Sequence, residues 1–157
     1  MSQTSNRRPV LPTIGWREWV TLPQLGIGSL KAKIDTGARS SALHAFDIEK
    51  FIHEGRPMVA FSVHPAQRDS QRVLKVHAEL VDERVVTNSG GQASERPVII
   101  TDVAWLGVAW PIELTLVRRD LMGFRLLLGR QAVRHRFVVD PGGSYLGGRP
   151  GAPMVRP

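Results

Sequence analysis

A chain of 157 residues, 42% of them hydrophobic, is long enough for one domain with its own core and too apolar for a disordered segment. It has no cysteine, which excludes disulfides, thiolate metal sites and a cysteine nucleophile. The net charge is +7, but Arg7, Arg8, Arg149 and Arg156 lie in the two ends, and 17 basic against 14 acidic residues leave +3 for the rest.

Residues 1–12 are polar, contain Pro9 and Pro12 and read as a flexible arm with no apolar run of the signal-peptide kind, so a cytoplasmic location is expected. Strands are expected at 16–22, ending in the turn Pro23-Gln24-Leu25-Gly26, and at 28–34. In the second of these, Leu30, Ala32 and Ile34 share one face and Lys31 and Lys33 the other, the period of a half-buried strand. Residues 41–51 read as helical. Further strands are expected at 58–64, at 73–81 (Leu74, Val76, Ala78 and Leu80 alternating with Lys75, His77 and Glu79) and at 84–87. Others follow at 96–105, 111–117, 124–128 and 136–139, with one helical turn at 130–134. Between the strands at 84–87 and 96–105 lies a glycine-bearing tip, Asn88-Ser89-Gly90-Gly91-Gln92. The Gly/Pro-rich stretch 147–157 reads as a tail. Many short strands with turn punctuation predict an all-β barrel or sandwich with one or two short helices, occupying residues 13–146. The longest nearly apolar run, 103–112, is too short to span a membrane, so no membrane partner is expected. Basic and acidic residues are interspersed rather than striped, which makes nucleic acid an unlikely partner and leaves an acidic peptide or a ribosomal surface as candidates.

The strand at 28–34 runs directly into Asp35-Thr36-Gly37-Ala38. Asp, Thr and Gly favour turns for ordinary reasons, but the same four residues after such a strand, followed by a glycine-tipped hairpin and then by Leu126-Leu127-Leu128-Gly129-Arg130, resemble a retropepsin. The order is that of catalytic loop, flap, and the apolar-Gly-Arg segment entering the last helix. A narrower match is carried by Gly15-Trp16-Arg17-Glu18-Trp19-Val20, by residues 31–45, by Ile112-Glu113-Leu114-Thr115-Leu116 and by Leu127-Leu128-Gly129-Arg130-Gln131-Ala132. These are similar to a bacterial retropepsin-like family labelled ATP-dependent zinc proteases, some members of which are encoded near a ligase that adds glutamates to a ribosomal protein.

The resemblance implies an all-β, closed retropepsin-like (acid protease) barrel and an aspartic-type peptidase. Asp35, Thr36 and Gly37 would be catalytic, and Ala38, Arg39, Ser89, Gly90, Gly91 and Arg130 would bind substrate. With one motif and no internal repeat, the second carboxyl must come from a second chain, so a homodimer is implied. The two Asp35 carboxyls would then share one proton, since like charges about 3 Å apart resist joint ionisation. Retroviral relatives usually carry an acid where Arg39 stands. Arginine suits carboxylate recognition, so Arg39 is expected either to select acidic or glutamylated substrates or to brace the fold against Glu79, Glu95 or Glu113. The family label finds no support in motifs. No glycine-rich loop ends in Gly-Lys-Ser/Thr, and His44, His53, His64, His77 and His135 do not have the His-Glu-x-x-His spacing. No cofactor and no metal ligand set is therefore expected. A non-catalytic peptide-binding module and a metal-dependent hydrolase stand as the alternative readings.

Overall fold

The computed structural model describes residues 10–65, 71–87 and 89–150. Residues 1–9 of the expected arm, residues 151–157 of the expected tail and Asn88 of the hairpin tip lie outside them. Among the described residues the strands are β1 (Thr13–Leu22), β2 (Ile27–Asp35), β3 (Ser41–His44), β4 (Phe46–His53), β5 (Arg56–Val63) and β6 (Leu74–Glu79). They continue with β7 (Asp82–Thr87), β8 (Ala93–Trp105), β9 (Val108–Val117), β10 (Leu126–Gly129) and β11 (Val138–Ser144). A 3-10 turn, Pro23–Leu25, and one helix, α1 (Arg130–Val133), complete the set. No helix among the described residues is long and apolar enough to cross a membrane.

The main sheet has the order β11-β1-β2-β10-β3-β9-β8-β7, and a further pairing of β1 with β8 closes six of these strands into a ring. The predicted alternation is what fills it. Leu30, Ala32 and Ile34 of β2 are buried together with Ile14, Val20, Leu43, Leu114, Leu116, Leu126 and Leu128. Full burial of each Val, Leu or Ile side chain among them is worth about 1.5–3 kcal/mol. Lys31, on the opposite face of β2, lies 5.6 Å from the ring centres of Trp19 and Tyr145. The turn at Pro23–Leu25 ends at Gly26 in the left-handed region (φ 71°). Helix α1 is pinned by Trp110, whose indole N–H donates to the Ala132 carbonyl at 2.9 Å.

Residues 41–51 are not helical. They form β3 and most of β4, separated at Ala45. Short apolar runs fit either period, and tertiary pairing decides here. β3 fills the gap between β10 and β9, with Leu126↔Leu43 on one side and Leu43↔Leu116 on the other, so its N–H and C=O groups complete the barrel wall. β4 leaves the barrel and starts a second sheet, β4-β5-β6. This sheet is tied back to the β7–β8 hairpin by Lys50, whose ammonium lies 2.9 Å from Glu83 and 3.4 Å from Glu95.

Glu18 sits on β1 and is fully buried. Its carboxylate accepts four hydrogen bonds: at Oε2 from the N–H groups of Gly15 (2.7 Å) and Leu146 (3.1 Å), and at Oε1 from the indole of Trp105 (3.2 Å) and the N–H of Gly147 (3.1 Å). The first strand, the end of β8 and the chain beyond β11 thus meet on one side chain. Gly15 leaves room for it: a Cβ there would meet the Gly143 carbonyl.

Two stability predictions follow from these contacts. Glu18→Gln keeps one acceptor oxygen but turns an amide donor toward two of the four N–H groups, and should cost about 3 kcal/mol or more, read by urea denaturation. A loss below about 1 kcal/mol would show that water replaces the carboxylate. The second concerns His44 at the end of β3. Burial, and then the Arg125 guanidinium 3.4 Å away and His64, hold its imidazole below the usual histidine value against the opposing Arg118 backbone and Asp120. A depressed value means that the unfolded chain binds the proton first. The stabilisation is therefore complete above about pH 6.5 and is lost as pH falls through the folded value. His44→Gln should accordingly flatten the dependence of Tm on pH below pH 6.5, and parallel curves for variant and parent would refute the assignment.

Candidate active site

β2 delivers Asp35 to the end of the barrel, where the chain turns sharply. Ala38 N–H donates to the Asp35 carbonyl (3.2 Å), and the Asp35 carboxylate folds back over the turn, Oδ1 accepting from Gly37 N–H (3.0 Å) and Ala38 N–H (3.3 Å). Asp35 is half-buried, while Thr36, Gly37 and Arg39 are exposed. No protein donor among the described residues reaches Oδ2, so one carboxyl oxygen is fixed and the other is available.

The turn is backed by the segment that the sequence places beside it. β10 runs parallel to β2 with Gly129 opposite Asp35. A methyl group on Gly129 would overlap the Ser40 carbonyl and press on that of Ala38, so only glycine lets the two backbones approach this closely. The contact is stitched by main-chain bonds from Arg130 N–H to the Ala38 carbonyl (2.7 Å) and from Gln131 N–H to the Arg39 carbonyl (3.1 Å), and by the buried Ser41 hydroxyl, which accepts from Gly129 N–H (3.0 Å).

The structure therefore brings Asp35, Thr36, Gly37, Ala38, Arg39 and Arg130 together. The Arg130 guanidinium donates to the Thr36 carbonyl at 2.9 Å and so braces the loop. Arg39 forms no ion pair among the described residues. Of the acids considered as its partners, Glu113 pairs with Arg84 at 2.8 Å and Glu95 with Lys50. Ser89, Gly90 and Gly91 stand apart, on the tip of the β7–β8 hairpin, with Gly91 in the left-handed region (φ 79°). β7 hangs outside the closed ring, and β8 is paired with β9 only from Val98 onward, so residues 93–97 extend past the barrel wall. Among the described residues no strand pairing joins this tip to the Asp35 loop.

Sequence reasoning missed a second feature. A groove of about 490 Å³ opens between β4, the hairpin and the end of β9, and Arg96, Arg118 and Arg119 line it. In the sequence Arg96 is the first residue of an expected strand, and Arg118 and Arg119 lie just past another. Only the fold brings residues more than 20 positions apart into one wall. Among the described residues no cluster of three or more His, Asp or Glu side chains is placed to hold a metal ion.

Comparison with known proteins places this geometry in a family. The RimB-like model, described as retropepsin-like aspartic endopeptidase RimB, matches residues 13–150. A protein of Shewanella pealeana named probable alpha-L-glutamate ligase is 42% identical over 138 residues, 88% of this chain and 30% of that protein. One of the same name from Desulfotalea psychrophila is 43% identical over 128 residues, 82% of this chain and 28% of its own length. The chain thus spans about a third of the length of these curated relatives. Among solved structures, a Legionella pneumophila protein of unknown function, Lpg0085, superposes with a TM-score of 0.72 at 27% identity, over 87% of this chain and 98% of that one.

The backing of the loop can be tested through its two tightest points. Gly129→Ala should cost about 1–3 kcal/mol through forced separation of the backbones, and Ser41→Ala a similar amount through the orphaned, buried Gly129 N–H. Denaturant midpoints equal to that of the parent would show that the loop does not rest on this segment.

Proposed function

This chain belongs to the RimB-like family of retropepsin-like aspartic endopeptidases, and from that premise we propose that it hydrolyses peptide bonds as a homodimer, with one Asp35 from each subunit. The observation that carries this reading is the Asp35 carboxyl, anchored at Oδ1 by two N–H groups of its own loop and open at Oδ2. In the paired site the ionised Asp35 takes a proton from water as the water oxygen adds to the substrate carbonyl carbon. The protonated Asp35 of the second subunit gives its proton to the carbonyl oxygen. Collapse of the resulting diol breaks the C–N bond, with a proton delivered to the leaving amine. Thr36 and Gly37 shape the loop, and Arg130 holds it through the Thr36 carbonyl.

For the substrate we infer an acidic or glutamylated peptide. The relatives named glutamate ligases contain a stretch similar to this chain within a longer protein. A peptidase module beside an enzyme that joins glutamate would meet glutamate-rich products. Arg39, exposed and without an ion pair among the described residues, suits a carboxylate side chain close to the reacting bond.

Asp35→Asn should lower cleavage of an acidic peptide by at least about 100-fold, the scale of a lost general acid–base group. Activity surviving that change would overturn the aspartic mechanism. If the residual activity falls with a chelator, it would favour the metal-dependent alternative, and binding without turnover in the parent protein would favour the peptide-binding module. Sedimentation should give twice the 17.4 kDa of one chain. A monomer that cleaves would remove the shared site.

A further inference from the structure

The groove at the hairpin has an uneven charge balance. Lys50, one of its lining residues, is held between Glu83 and Glu95. Arg96, Arg118 and Arg119 line it too, and none of the three forms an ion pair among the described residues. Arg96 is drawn partly out of water, and its guanidinium is held below the ordinary arginine value, first by burial and then by the charge of Arg119. Gathering like charges with no counterion is unfavourable in the free protein, and the strain is relieved by an anion from outside. The floor adds a second requirement, because Ile48, Leu116 and Val117 are aliphatic. A ligand that meets both conditions has a short apolar stem and an anionic head.

We propose that Arg96, Arg118 and Arg119 form a carboxylate-binding subsite for an acidic side chain of a peptide, the stem of that side chain lying on Ile48, Leu116 and Val117. Arginine's planar fork of donors matches a carboxylate. A peptide fits better than a nucleic acid, since Glu83 and Glu95 border the same groove and would repel a continuous line of phosphates. The subsite deepens the peptidase reading and rests on it in one respect, that the peptide is a substrate. It also separates two tasks: Arg39 stands next to the reacting loop, whereas this trio lies on the hairpin and the end of β9, so it selects a residue other than the one Arg39 meets.

The test uses the full chain carrying Asp35→Asn, so that binding is read without cleavage, and fluorescein-labelled hexaglutamate and hexaglutamine peptides followed by fluorescence anisotropy. Hexaglutamate should bind at least about tenfold more tightly than hexaglutamine, and adding Arg119→Gln should remove about tenfold of that affinity, the scale of one charge-assisted contact. Arg96→Gln should do the same. Arg119 is exposed, so its variant decides the matter if the Arg96 variant fails to fold. Equal affinity for the two peptides, or hexaglutamate binding unchanged by Arg119→Gln, would overturn the subsite, as would an oligoribonucleotide that displaces hexaglutamate and binds more tightly than it. The same peptides offered to the chain with Asp35 intact keep the two ideas apart. Arginine-dependent binding without cleavage leaves the subsite standing and removes the peptidase, and cleavage with arginine-independent affinity does the reverse.

Discussion

The buried Glu18 carboxylate ties together the segments that meet where this barrel closes. β1 must serve three neighbours at once, β2, β8 and β11, and where they converge several N–H groups have no strand partner. A single carboxylate with two oxygens can accept from all four of the donors found there, and the main-chain bonds from Gly15, Leu146 and Gly147 fix where the chain begins and ends its path around the ring. A buried charge is tolerated only when it is hydrogen-bonded as fully as this. The arrangement also draws Leu146 and Gly147, at the boundary where a loose tail is expected, into the fold.

The Asp35 loop depends on that closure through β2 and β10. The ring holds β10 parallel to β2, the parallel pairing puts Gly129 opposite Asp35, and the missing side chain at Gly129 lets the loop settle on the start of α1. Each step follows from pairing geometry rather than from side-chain chemistry. The carboxyl comes to its position as the outcome of barrel assembly, with Ser41, Arg130 and the Asp35 carboxylate itself adding side-chain bonds.

What could be read in the sequence divides along the same line. The alternation in β2 and in β9 reports a single buried face, and a local motif at the end of β2 marks the loop, so the barrel and the Asp35 loop are visible from one dimension. β3 is not, because four residues of mixed apolar and polar character fit a helix as well as a strand until β9 and β10 are known to flank them. Glu18 is not visible either: a lone acid in a strand looks solvent-facing, and three of its four donors lie more than 80 positions away. The arginine wall fails for the same reason, since Arg96 and Arg119 become neighbours only when the hairpin and β9 are placed.

Because the loop is held on α1 by the carbonyls of Ala38 and Arg39 and the N–H groups of Arg130 and Gln131, the identity of the side chain at position 39 is nearly independent of the loop's shape. Such an architecture separates durability from taste. In the proposed peptidase, position 39 can be exchanged while the carboxyl beside it stays in register, so single substitutions at the rim would move this frame from one kind of peptide to another without dismantling the loop.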